Sequence, residues 1–337
     1  MSLTPEMNPP PALPQVEPPS LEGLSVTMPA PAGFTAEEVQ QRFLELARPL
    51  AHERERGATE QVAWGDEVLL SIAGYIDGRL IPFSVRHQEW VKLEPEPTLP
   101  GLYEALVGYP PNKEGGAVDI VLPETYPVEA LRGASARFLV AIHAAREVKY
   151  PDLESPQFLQ AFGRGATLEA ATRDVAEQLK RERAQTLVYE AGQRVLEEVA
   201  SRTQVRVPDA LIDEEIRLSW EKSEGAAVRA LEFSEEETEQ SLRAWLQDAR
   251  TREQVELRLR VGLALGAICQ RDGLVLTPEL LEEFLAEQAT HLGSSPEALA
   301  QSLSQEPQHM ATIGQHAWHL LAVSHVLGQA KIHFERA

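Results

Sequence analysis

The chain has 337 residues, 43% of them apolar and 25% charged, which suffices for two or three domains with an ordinary hydrophobic core. With 52 acidic against 31 basic side chains its formal charge is -21, and this argues against nucleic acid as a main ligand, because phosphate binding needs a basic stripe that releases counterions. A single cysteine, Cys269, excludes an intramolecular disulfide, and no apolar run approaches the roughly 20 residues of a membrane span, so a soluble, cytoplasmic protein without membrane contact is expected.

Taken in chain order, residues 1–20 carry prolines at 5, 9, 10, 11, 14, 18 and 19 and read as an extended, unpacked segment, with order beginning at Leu21. Thr35 and Glu38 form a capping box for a helix that places Val39, Phe43 and Leu46 or Ala47 on one face and ends near Pro49. From Glu67 the signal changes to strands, Val68 to Ala73 and then Tyr75 to Leu80, with Asp77-Gly78 as a hairpin turn. Leu99-Pro100-Gly101 is a corner opening a short helix, and Gly108 is a turn. Gly115-Gly116 predicts another turn, followed by a strand from Val118 to Leu122, the loop Pro123-Glu124-Thr125-Tyr126 and a closing strand through Phe138.

After Pro151 every strong signal is helical. Thr167 caps a helix running to about Ser201, Pro208 suits a first turn, and Ser234 with Glu237 forms a second capping box. Thr277-Pro278 and Ser295-Pro296 mark two further starts. Between Val255 and Leu265 the apolar residues alternate with period two, a strand-like pattern, but the stretch is Leu-rich and free of turn residues, so a buried helix is expected.

Conventional catalytic constellations do not stand out. His316 and His319, with His309 and His325 nearby, lack the companion motifs of a metal site and read as polar-face residues; no metal and no cofactor are expected. Cys269 in its apolar context reads as a small buried hydrophobe.

The stretch from Thr98 to Phe138 resembles the second half of an FKBP-type prolyl isomerase domain. The helical region behind it contains Val207-Pro208-Asp209-Ala210-Leu211-Ile212, and the order of the two resembles trigger factor, a family of ATP-independent bacterial chaperones. The resemblance covers residues 21–330. It implies an α+β fold, in which an FKBP-like antiparallel sheet domain with a helix (59–147) is attached to an elongated all-α chaperone domain with projecting arms (148–337). Residues 21–58 would then be a linker strand and helix packing on the helical body. It also implies unfolded or nascent polypeptides as partners. Trigger factors carry a Gly-Phe-Arg-x-Gly-Lys docking loop that does not occur in this sequence, so ribosome binding is not expected.

Prolyl isomerisation needs no nucleophile, only a dry apolar pocket that favours the twisted amide over a planar one held by a barrier of ~18–20 kcal/mol. By resemblance the pocket residues are Ile72, Ile81, Leu99, Leu102, Tyr126 and Phe138. Aliphatic side chains stand at Ile72, Ile81 and Leu102 where the family has aromatics, and Pro82 stands where it is usually acidic. Phe83 is placed to refill the space, and the site reads as degenerate. Client contacts are expected from Leu211, Ile212, Ile216 and Trp220 on one arm and Leu242, Trp245 and Leu246 on the other, with helix–helix core as the competing role. An active isomerase and a dedicated scaffold for one protein partner are the alternative functions.

Overall fold

The computed structural model describes residues 13–30, 32–95, 99–111, 113–126, 128–291, 295 and 307–335. In chain order its elements are β1 (Ser25–Met28), α1 (Ala36–Ala47), β2 (His52–Glu55), β3 (Glu67–Ile76), β4 (Arg79–Leu80), β5 (Arg86–Lys92), α2 (Leu102–Leu106), β6 (Lys113–Val121) and β7 (Ser135–Lys149). The helices α3 (Pro156–Phe162), α4 (Leu168–Ser201), α5 (Asp209–Lys222), α6 (Glu224–Ala230), α7 (Glu235–Gln247), α8 (Ala249–Asp272), α9 (Pro278–His291) and α10 (Pro307–Gln329) follow, then β8 (Lys331–Phe334). The protein is α+β. Its chain divides into two compact units, one of Met1–Ala32, Glu182–Ile212 and Glu253–Ala337, the other of Gly33–Arg181 and Asp213–Arg252.

In the second unit an antiparallel sheet is built around β7, which pairs with β2, β3 and β6, while β3 also pairs with β4 and β5. The β3–β4 turn forms where Asp77 and Gly78 both take positive φ (50° and 74°), the backbone twist that a two-residue hairpin requires. The inner face of the sheet and α2 enclose a core of Val68, Leu70, Leu106, Ile120, Phe138 and Ile142, among others. Gly115-Gly116 does not make the expected turn: β6 begins at Lys113, and the glycines lie in a bulge where its register against β7 shifts.

The capping box on α1 is present, with the Glu38 amide donating to Thr35 Oγ1 and the Thr35 amide to Glu38 Oε2. Below it Phe43 packs on Phe162 at 4.8 Å between ring centres, in a cluster shared with α3 and the start of α4. Residues 33–58 therefore belong with the sheet rather than with a separate helical body, since β2 also pairs with β7. Residues 213–252 likewise fall in the compact unit that holds the sheet.

Glu67 holds this unit together at its edge. Both its oxygens accept from Arg48 at 2.7 Å, and Oε2 also accepts from Arg146 Nε at 2.8 Å. The Arg48 hydrogen bond, more than the Arg146 one, holds its carboxyl below the ordinary glutamate value of 4.5. A depressed folded pKa contributes stability that is complete above the unfolded value and is lost as pH falls through the folded one. Stability of the native protein should therefore decline below about pH 4.5 with a Glu67-dependent component. Acid titration followed by circular dichroism should show Glu67→Gln less stable at neutral pH and less pH-sensitive below 4.5; identical curves would mean that the Glu67 bonds to Arg48 and Arg146 do not stabilise the unit.

In the other unit α8 is continuous through the period-two stretch, burying Val255, Ala264, Leu265, Ala267, Ile268 and Cys269. Leu265 and Ile268 pack with Leu21, Leu24, Val195, Val199 and Val326. Packing begins before the expected Leu21, since Pro19 is buried and its carbonyl accepts from Arg271 Nη1 at 2.9 Å. Strand β1 pairs in parallel with β8. The proline-rich residues 1–12, Pro296 of the expected helix start with the residues up to 306, and the His309 side chain lie outside the described residues.

Candidate functional site

A cavity of about 230 Å³ opens in the sheet unit. Its floor and walls come from β3 (Leu70, Ile72), the loop after β4 (Pro82, Phe83, Ser84), the α2 corner (Leu99, Leu102, Tyr103), the β6–β7 loop (Tyr126, Val128) and β7 (Phe138). Arg86, Glu89 and Val91 of β5 complete the rim.

Each wall has a local cause. Gly101, at φ 91°, lets the chain turn so that Leu99 accepts the Leu102 amide at 3.1 Å, and Leu102 then sits 1% exposed at the base. Tyr126 is placed by a tight turn, its amide donating to Pro123 O at 2.9 Å, and by Arg132 Nε, which donates to Tyr126 O at 2.9 Å. Burial first, and the charge of Glu224 second, raise the Tyr126 phenol above its ordinary value. Phe138 faces Gly74 across the β3–β7 ladder, and a Cβ at that glycine would lie 2.7 Å from the Phe138 ring. Ser84 Oγ donates to Ile81 O at 2.7 Å and accepts the Gly74 amide at 3.0 Å, fixing the chain as it leaves the hairpin.

Six of the seven expected pocket residues therefore meet at one cavity: Ile72, Phe83, Leu99, Leu102, Tyr126 and Phe138. Ile81 does not line it. Its Cδ1 is directed to the space left by Gly74, 3.0 Å from where a Cβ would stand, so it is core. Tyr103, Val91 and the charged pair Arg86 and Glu89 were not expected; alternation along β5 would have suggested Val91, but only the fold brings β5 to the rim.

The expected client-contact residues divide by burial. Leu211, Ile212, Ile216 and Trp220 are 8%, 4%, 0% and 5% exposed and occupy the competing role of helix core. The Trp220 indole is used fully, its ring against Gly225 and its Nε1 donating to Ser241 Oγ at 2.8 Å. Leu242, Trp245 and Leu246 are half-buried. Elsewhere His316 and His319 are exposed, His325 lies 2.8 Å from Asp272 Oδ2, and burial raises the Cys269 thiol. Among the described residues no three metal-ligating side chains come together, and no helix is long and apolar enough to cross a membrane.

Fold and site define an α+β protein with one antiparallel sheet, an apolar cavity walled by rings and aliphatic chains, and a long helical portion. Residues 167–327 match the family described as bacterial trigger factor protein C-terminus. Curated trigger factors are similar along most of the chain: that of Sphingopyxis alaskensis is 26% identical over 82% of this chain and 50% of its own length. The Hydrogenovibrio crunogenus protein is 21% identical over 88% and 65%, and that of Psychromonas ingrahamii 25% identical over 74% and 55%. The chain thus spans between half and two thirds of the length of these relatives. The chain is similar to trigger factors along most of its length, and its helical portion matches the model of their C-terminus.

Proposed function

We propose that the protein is a nucleotide-independent chaperone of the cytoplasm that holds apolar segments of unfolded or nascent polypeptides, with an FKBP-like pocket that binds such a segment but isomerises prolyl bonds weakly. The observation that carries this reading is the cavity, lined mostly by apolar side chains and with Arg86 and Glu89 as its charged residues, in a chain similar to trigger factors along most of its length. A pocket of hydrocarbon and aromatic walls with few polar groups favours a desolvated side chain without selecting one sequence, as a holder of many chains requires. The half-buried Leu242, Trp245 and Leu246 are the helical residues we assign to client contact. The charge of -21 keeps a client-laden protein soluble and opposes docking on ribosomal RNA.

Mixed at equimolar ratio with a denatured client, the protein should lower light scattering without ATP; unchanged scattering across several clients would sink the proposal. Incubated with purified ribosomes at low salt, this 337-residue chain should remain in the supernatant after sedimentation, and salt-sensitive stoichiometric pelleting would refute that part.

A further inference from the structure

Glu224 is a buried acid that lines no part of the cavity, yet donors converge on it from two sides. It is 5% exposed. From the sheet side the Val85 amide donates to Oε1 at 3.2 Å, and the Phe83 amide also bonds the carboxylate. From α7, Ser241 Oγ donates to Oε2 at 3.1 Å and Trp245 Nε1 to the same oxygen at 2.5 Å. An ionised carboxylate accepts only, with room for about four hydrogen bonds, so the donor set matches its chemistry. Burial favours the protonated form, and the hydrogen bonds from Trp245, Val85, Ser241 and Phe83 oppose that shift.

One of the two residues so held, Phe83, is a wall of the cavity, and Val85 lies in the core beside it. Phe83 takes φ 64°, a conformation an aromatic residue adopts only under constraint, and its ring lies 4.8 Å from that of Trp245. Around this contact Val228 packs with Ala73, Leu80 and Val85, and Tyr75 OH donates to Glu237 Oε1 at 3.1 Å. The cavity wall at Phe83 is thus held by α6 and α7 as well as by the Ser84 bonds of the sheet itself.

We propose that Glu224 is a positioning residue that clamps the Phe83–Val85 rim to the α6–α7 hairpin, so that the shape of the cavity depends on the hairpin being docked. Coupling of this kind is reciprocal: a peptide that fits the clamped cavity must also stabilise docking. This consequence rests on the peptide-pocket reading above, whereas the clamp itself does not.

The test uses the full chain and its Glu224→Ala and Glu224→Gln variants, followed by amide hydrogen exchange and by titration with a blocked tetrapeptide containing Leu-Pro. Segment 81–86 should exchange at least about tenfold faster in Glu224→Ala at Phe83 and Val85, whose amides lose their buried acceptor, while β3 and β7 exchange as before. The peptide should bind that variant about tenfold more weakly, which is ~1.4 kcal/mol. Peptide should slow exchange of α6, residues 224–230, in the unaltered protein and fail to do so in Glu224→Ala, a readout that simple loss of stability would not give. Glu224→Gln keeps the volume and one acceptor oxygen and should fall between, and it supplies the comparison if the alanine variant unfolds. Unchanged exchange of 81–86 in both variants overturns the clamp, and unchanged peptide affinity despite faster exchange overturns the coupling. No binding by the unaltered protein overturns the peptide-pocket reading, and the exchange of 81–86 then judges the clamp alone.

Discussion

Phe138→Ala should destabilise the sheet-bearing unit by about 3–5 kcal/mol, the range for removing a large aromatic from a core that does not collapse. Phe138 is 1% exposed and lies between Gly74 of β3 and Val118 of β6, both paired with it in register. Its ring fills the volume that a side chain at position 74 would otherwise occupy. Ladder hydrogen bonds on both sides keep the strands from closing on the gap, so transfer and cavity terms add. Because the same ring walls the cavity, peptide binding should be lost with it. Urea denaturation should show a lower midpoint at an unchanged slope, and a loss below about 1 kcal/mol would mean that the ring is not part of the core as described.

A protease-coupled assay on Leu-Pro and Phe-Pro peptides should return a prolyl isomerisation rate near the uncatalysed one. Two walls that the family resemblance expects to be aromatic are aliphatic here, Ile72 and Leu102, and both reach the cavity. Phe83 supplies one ring at the rim, but the left-handed backbone and the Trp245 contact fix how it is presented. Each tenfold in rate is ~1.4 kcal/mol of differential transition-state binding, so a few misplaced walls suffice to lose several powers of ten. Leu102→Phe should raise the rate if the base of the cavity accepts the added volume. Ile81→Phe should not: that side chain points toward Gly74 and lies outside the cavity, so the larger ring would only strain the core. A rate matching a good FKBP-type isomerase in the unaltered protein would show that the aliphatic walls do not weaken catalysis.

What the sequence by itself determined is what a few neighbouring residues decide. Asp77-Gly78 dictates a hairpin because both positions need positive φ, and Thr35 with Glu38 and Ser234 with Glu237 start helices because each pair satisfies the other's free amides. The run from Val255 to Leu265 was settled as helix by length and Leu content against its own alternation, since a helix buried on several faces tolerates apolar residues on each of them. Part of the cavity was legible through the order of turns and rings between Leu99 and Phe138, which supplies Leu99, Leu102, Tyr126 and Phe138, while the walls from Leu70 to Val91 come from strands and a loop earlier in the chain. The tertiary structure alone decided where Ile81 points, because a glycine seven residues earlier leaves the space that it fills. It alone assigned Trp220 to the core, through an indole hydrogen bond to Ser241 twenty-one residues away. Most of all, it joined residues 213–252 to the sheet, an association carried by Val85 and Glu224, 139 residues apart. A lone glutamate after a serine carries no local signal of burial. Its role exists only once distant elements bring their donors together, and such complementarity of shape and charge is not encoded in any window of neighbouring residues.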